Sequence, residues 1–192
     1  MQHWNLNQVH DRLRCVALSA IKEPEAVYDR QWYHREAKWL AEQAEVHGCT
    51  WETAAYVVAV LSPRVRWETQ KTYTPSVFAA LSRGATAMHL PGPGTHLCKR
   101  KAHRIWHGDL TALSGPKVEA FAQNLLLNEE HVTVDAIMQD VAVGSEPCTR
   151  DYLTPKRLRT IQQAVGLIGG ELNVPPSQVQ AMVWCWSRRL PF

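Results

Sequence analysis

One stretch constrains this chain more than any other: residues 113–138, LSGPKVEAFAQNLLLNEEHVTVDAIM. A turn made of Ser114, Gly115 and Pro116 hands Lys117 to the start of an apolar helix. Val118, Phe121, Leu125 and Leu126 recur there at core-like helical spacing, and the pattern fades into the polar run NEEH. A short extended piece, residues 132–134, then delivers Asp135 to the start of another helix. The Asp135 carboxylate is suited to cap that helix, because it can accept the free backbone N–H groups of the first turn. A lysine and a carboxylate thus stand at the two ends of one helix-and-return unit, and such a unit can fold back until they meet.

The rest of the chain is predicted to be almost wholly helical. A first helix is expected over residues 7–21, with Val9, Leu13, Val16 and Leu18 apolar. Pro24 opens a second, predicted to run unbroken through YDRQWYHREAKWLAEQAEVHG to Gly48, with Tyr28, Trp32, Trp39 and Leu40 on one apolar face. Thr50 is placed to cap a third, TWETAAYVVAVLS, with Glu52 near its positive end. That segment is apolar nearly all round, which predicts the most buried helix. Its YVVAV run alone would suit a strand, but the length and the alanines favour helix. After RVRWETQKTY, Pro75 is expected to open SVFAALSRG. Residues 85–96 form a loop with two Pro-Gly pairs, and LCKRKAHRIWHGD follows as a basic helix. The Asp135 helix is expected to reach about Val143, with a loop over GSEPCTRDYLTP. Pro155 opens a long helix, NVPP ends it, and the last helix runs from Ser177.

At 192 residues, 45% of them hydrophobic, the chain is long enough for one domain with its own core, and residues 1–192 are expected to form it. A formal charge of +3 and a pI near 8.6 permit nucleic acid as a partner without demanding it. No run of about 18 apolar residues suggests a membrane span, and the N-terminus MQHWNLNQVHDRLR lacks the apolar core of a signal peptide. The expectation is a soluble, cytoplasmic chain acting at a nucleoid or in an infected host cell, monomeric and away from membranes. Five scattered cysteines without a C-x-x-C predict free thiols rather than a zinc or iron–sulfur site. His96, His103 and His107 lie close in sequence, but no carboxylate signature accompanies them, so no metal and no cofactor is expected.

The pattern G-x-K-V, apolar helix, V-x-V-D-x-x-M resembles the central segment of the helix-hairpin-helix DNA glycosylases, the endonuclease III and 8-oxoguanine glycosylase superfamily. It also resembles short phage-encoded proteins that share GPKV, NLL and VTVD. The likeness is specific around residues 113–138 and faint elsewhere. It implies an all-α, two-lobed helical domain with the active site between the lobes. It also implies a function, excision of a modified or damaged base from double-stranded DNA, with or without lyase activity at the abasic site. Asp135 would stabilise the sugar cation as the glycosidic bond breaks, and Lys117 would attack the anomeric carbon. Ser114 and Gly115 would be the hairpin that points backbone N–H groups at a DNA phosphate. This hairpin is shorter than the family's, with one glycine and with Pro116 lacking an N–H. Arg64 aligns with the side chain that enters the duplex on base flipping, and Arg66 and Trp67 stand beside it. Lys99 and Lys101, in the run KRKAHR, are candidates for backbone phosphates.

Each of these residues has an ordinary role as well. Asp135 is a helix cap, Lys117 and the basic run are solvated charge, and Trp67 is packing. The rival function is a non-catalytic DNA- or protein-binding module on the same scaffold. A third reading is a phage enzyme acting on hypermodified bases. The identity of the base lies outside the matched motifs.

Overall fold

A computed structural model describes residues 5–144 and 153–189, and every regular element among them is helical. The chain divides into two compact units. Unit 1 is built from two separated segments, Met1–His34 and Asn128–Phe192, and unit 2 is the continuous segment Arg35–Leu127.

In unit 1, α1 (Leu6–Ala20) is capped by Asn5, whose side chain accepts the Asn7 N–H. It packs on α8 (Ala136–Val143), α9 (Pro155–Leu172) and α10 (Pro176–Arg189). Val9, Leu13, Ile161, Val165, Ile168 and Met182 are fully or almost fully buried in the interior, whereas Val16 and Leu18, expected apolar positions of α1, are only partly buried. The α9 helix ends on Asn173 in the left-handed region, and a Cβ on Gly169 would lie 2.8 Å from the Val174 carbonyl oxygen. A glycine is therefore required where the chain doubles back into α10.

The segment predicted as one helix after Pro24 is two, α2 (Ala26–Arg30) and α3 (Trp32–His47), broken at Gln31. Residues on both sides of the break are tied to α10: Asp29, 3% exposed, accepts two hydrogen bonds from Arg189, and the Tyr33 hydroxyl donates to the Gln180 carboxamide at 2.6 Å. Tyr28, expected on an apolar face, is 61% exposed.

In unit 2, α4 (Trp51–Leu61) is the deeply buried helix its composition predicts, with Ala54, Ala55 and residues 57–61 all buried. Thr50 caps it by accepting the Thr53 N–H at 3.0 Å. It packs on α5 (Trp67–Ser82), α6 (His96–Trp106) and α7 (Pro116–Leu125). Pro75 does not open a helix; it lies inside α5. A proline in a helix interior costs roughly 3 kcal/mol. Here Trp67, Gln70, Thr74, Val77, Phe78 and Leu81 form one buried stripe on both sides of it, and that burial outweighs the local penalty. Short 3-10 turns at Ala87–His89 and Leu110–Ala112 punctuate the loops on either side of α6. The basic helix stops at Trp106, before Gly108. Among the described residues no helix is long and apolar enough to cross a membrane.

Candidate functional site

Asp135 is positioned by the buried segment that precedes it. Val132, Thr133 and Val134 are 3%, 5% and 1% exposed, and Gln162 of α9 donates to the Val132 carbonyl at 3.3 Å. The chain therefore enters α8 along one path, with Asp135 extended at φ −105°, ψ −172°. Its Oδ1 accepts the Met138 N–H at 3.0 Å, which is the expected cap and is worth about 1 kcal/mol. Its Oδ2 accepts the indole N–H of Trp184 at 2.9 Å. Two donors on two different helices fix the plane of this half-buried carboxylate, while each oxygen keeps a second lone pair for another donor or a cation.

Trp184 is itself held in place. Its ring meets that of Trp32 edge to face, with centroids 5.5 Å apart, and the Arg188 guanidinium lies 4.6 Å from its centre. Such aromatic and cation–π contacts add about 0.5–1.5 kcal/mol each. Unit 1 thus carries an oriented carboxylate bonded to one indole, which itself packs against a second indole and a guanidinium. Nothing local in the sequence singles out Trp32, Trp184 or Arg188, which meet only through packing of α3, α8 and α10.

The remaining candidates lie in unit 2. Lys117 is the second residue of α7, half-buried, and makes no hydrogen bond or ion pair among the described residues. Gly115 caps α7 at φ +104°, a conformation that favours glycine, so this turn has the backbone an anion-binding hairpin needs. Its N–H, however, is occupied: Glu119, one turn into the same helix, accepts it at 3.0 Å. A phosphate at Gly115 must displace that carboxylate. The signal was present in the sequence as an acid in the first turn of α7. The Ser114 hydroxyl accepts from the Lys101 ammonium at 2.6 Å, which ties the hairpin to α6. The Lys99 ammonium donates to the Leu90 carbonyl at 2.7 Å, and Arg104 pairs with Asp109. His103 and His107 stack at 4.4 Å, one turn apart.

Arg64 is exposed and has φ +64°, a strained conformation for a residue with a Cβ, and Arg66 is exposed at the cap of α5. Trp67 is 8% exposed, its ring 5.9 Å from those of both Trp39 and Phe121. These surroundings fit packing in the core of unit 2. Asp135 and Lys117 belong to different compact units. Of the cysteines, Cys148 lies outside the described residues, the other four are free, and burial pushes the Cys49 thiol up to about 11. Cys49 is therefore a protonated thiol near neutral pH, not a nucleophile.

These features define a protein of two units whose described regular elements are all helical, one unit presenting an oriented carboxylate and the other carrying more Lys and Arg than Asp and Glu. The chain matches the family described as "Family of unknown function (DUF7178)" over residues 6–190, and it belongs to that family. No curated protein and no solved structure shows significant similarity to it.

Proposed function

We propose that this protein is a DNA glycosylase of helix-hairpin-helix type that excises a modified or damaged base. The observation that carries the reading is the Asp135 carboxylate, fixed by the Met138 N–H and the Trp184 indole beside the Trp32 ring. Breaking an N-glycosidic bond builds positive charge on the sugar, and a carboxylate that does not have to reorient stabilises that charge most effectively. Flat indoles next to it suit a nucleotide drawn out of the base stack. Lys117 is the amine proposed to attack the anomeric carbon. It needs no partner broken beforehand, and it stands in the first turn of α7.

Charge distribution supports DNA as the partner. Unit 2 holds eleven Lys and Arg against seven Asp and Glu, whereas unit 1 holds ten against eleven. Unit 2 is therefore the one proposed to hold the phosphate backbone, through Arg64, Arg66, Lys99, Lys101 and the Ser114–Gly115 turn. The protein is proposed to act on this duplex as a monomer.

One observation favours the second reading, a DNA-binding module without catalysis. Glu119 occupies the Gly115 N–H, and Trp184 occupies one oxygen of Asp135, so both motifs are satisfied internally. Borohydride trapping separates the two. Purified protein is incubated with duplexes carrying an abasic site, uracil, 8-oxoguanine or 5-hydroxymethyluracil. A covalent adduct that disappears in Lys117→Gln is expected for the bifunctional enzyme. Tight binding with neither adduct nor base release favours the module.

A further inference from the structure

Unit 1 carries an open groove of about 400 Å³ lined by Val27, Arg30, Gln31, His34 and Gln178. None of these residues hydrogen-bonds to Asp135 or Trp184 among the described residues, and a volume of this size is in the range of small-molecule sites.

Arg30 is the cation among the residues that line the groove. Asp29, the carboxylate next in sequence to Arg30, is turned inward and bound by both Nη atoms of Arg189. Glu129 accepts one Gln178 carboxamide N–H at 2.9 Å and stands 3.6 Å from His34 Nε2, so it engages two of the lining residues and leaves Arg30 without a carboxylate partner. Arg30 makes no hydrogen bond or ion pair among the described residues. A half-buried guanidinium with five N–H donors thus faces open space, beside two carboxamides and an imidazole. An acceptor-rich dianion or diester satisfies that set better than water does, and a guanidinium pairs with phosphate oxygens in a fork. The groove is larger than a bare phosphate fills, and Val27, 57% exposed, supplies an apolar rim for an attached organic group.

We propose that this groove binds the phosphate of a nucleotide-sized phosphate ester, with Arg30 as the charge partner and Gln31, His34 and Gln178 as neutral or secondary donors. The phosphate comes either from a free nucleotide or from the backbone of a nucleic acid, and the same chemistry recognises both. The proposal stands apart from the Asp135 reading and survives if that reading fails.

The test is a titration of the full chain, followed by amide NMR shifts, with three probes: deoxyadenosine monophosphate, inorganic phosphate and a short undamaged DNA duplex. The expected result is saturable shifts centred on Arg30, Gln31, His34 and Gln178. Affinity should drop at least tenfold in Arg30→Ala and should be unchanged in Arg159→Ala, which removes an exposed cation elsewhere on unit 1. If Arg30→Ala does not fold by circular dichroism, Val27→Glu places a repelling carboxylate on the exposed rim and should give the same loss. Saturation by the mononucleotide identifies a free nucleotide as the source, and saturation by the duplex alone identifies the backbone. No saturable shifts with any probe, or shifts that persist in both groove variants, overturns the proposal.

Discussion

The two units solve the same problem, a buried carboxylate, in different ways. In unit 1, Asp29 is held by the fork of Arg189; in unit 2, Glu36, 8% exposed, is held by the Lys71 ammonium at 2.8 Å, itself 4.8 Å from the Trp39 ring centre. The fork makes two directed bonds in one plane, whereas the ammonium is a point charge on a flexible stem. The same contrast runs through the candidate residues. Those of unit 1 are fixed by bonds from distant parts of the chain, as Asp135 is by Trp184, 49 positions away. In unit 2, Gly115 is engaged within one turn by Glu119 and Lys101 by Ser114 of the hairpin, while Lys117 makes no hydrogen bond or ion pair among the described residues. Directed long-range bonding specifies geometry, and local bonding leaves cations that can be redeployed.

The largest effect of breaking this contrast should come from the two buried pairs. Arg189→Ala strands the Asp29 carboxylate and should destabilise the protein by about 2 kcal/mol, while Lys71→Ala, which removes a point charge rather than a two-bond fork, should cost about 1 kcal/mol. Urea midpoints of the two variants measure the difference. Equal losses would remove the distinction between fork and point charge.

Trp184→Phe and Trp67→Phe come next. The first keeps a ring but deletes the N–H on Asp135, and under the proposed function it should slow base release about tenfold, equivalent to roughly 1.4 kcal/mol. The second changes packing inside unit 2 and should leave single-turnover base release within about twofold, its cost appearing in thermal stability. In the hairpin, Glu119→Ala frees the Gly115 N–H and removes a negative charge, so duplex affinity should rise a few-fold and its salt dependence steepen. Unchanged affinity by fluorescence anisotropy excludes that N–H as a phosphate contact.

The smallest effects are in the pH profile. The Arg14 guanidinium, and more weakly His10, hold Glu171 of unit 1 below the usual carboxylate range; the Thr111 hydroxyl, then Arg104, do so for Asp109 of unit 2. A carboxylate with a lowered folded value contributes stability that is present above its ordinary pKa and is lost as pH falls through the folded value. Glu171→Gln and Asp109→Asn should therefore each lower stability slightly at neutral pH, leave it unchanged at pH below the folded value, and so flatten the acid limb. Acid denaturation curves check both.

How much of this was legible follows from the range of the interactions. Thr50, Asp135 and Thr154 act on their own first turns, and the sequence predicts helix starts at or next to each. The buried α4 declares itself through continuous apolar composition. The break at Gln31 has no marker in the sequence, and the helix running through Pro75 is decided by burial of the stripe on both sides of it, which no local pattern carries. For the same reason Asp135 is visible as a cap but not as the partner of Trp184.

The central claim is that the oriented Asp135 carboxylate breaks a glycosidic bond. The most direct measurement is single-turnover release of free base from the uracil, 8-oxoguanine and 5-hydroxymethyluracil duplexes by the wild-type protein and by Asp135→Asn. Asparagine caps a helix as well as aspartate does, so the fold is retained while the charge is lost. The account predicts release from at least one duplex by the wild type and a loss of at least about 100-fold in the variant. Release at an undiminished rate by a folded Asp135→Asn would contradict it.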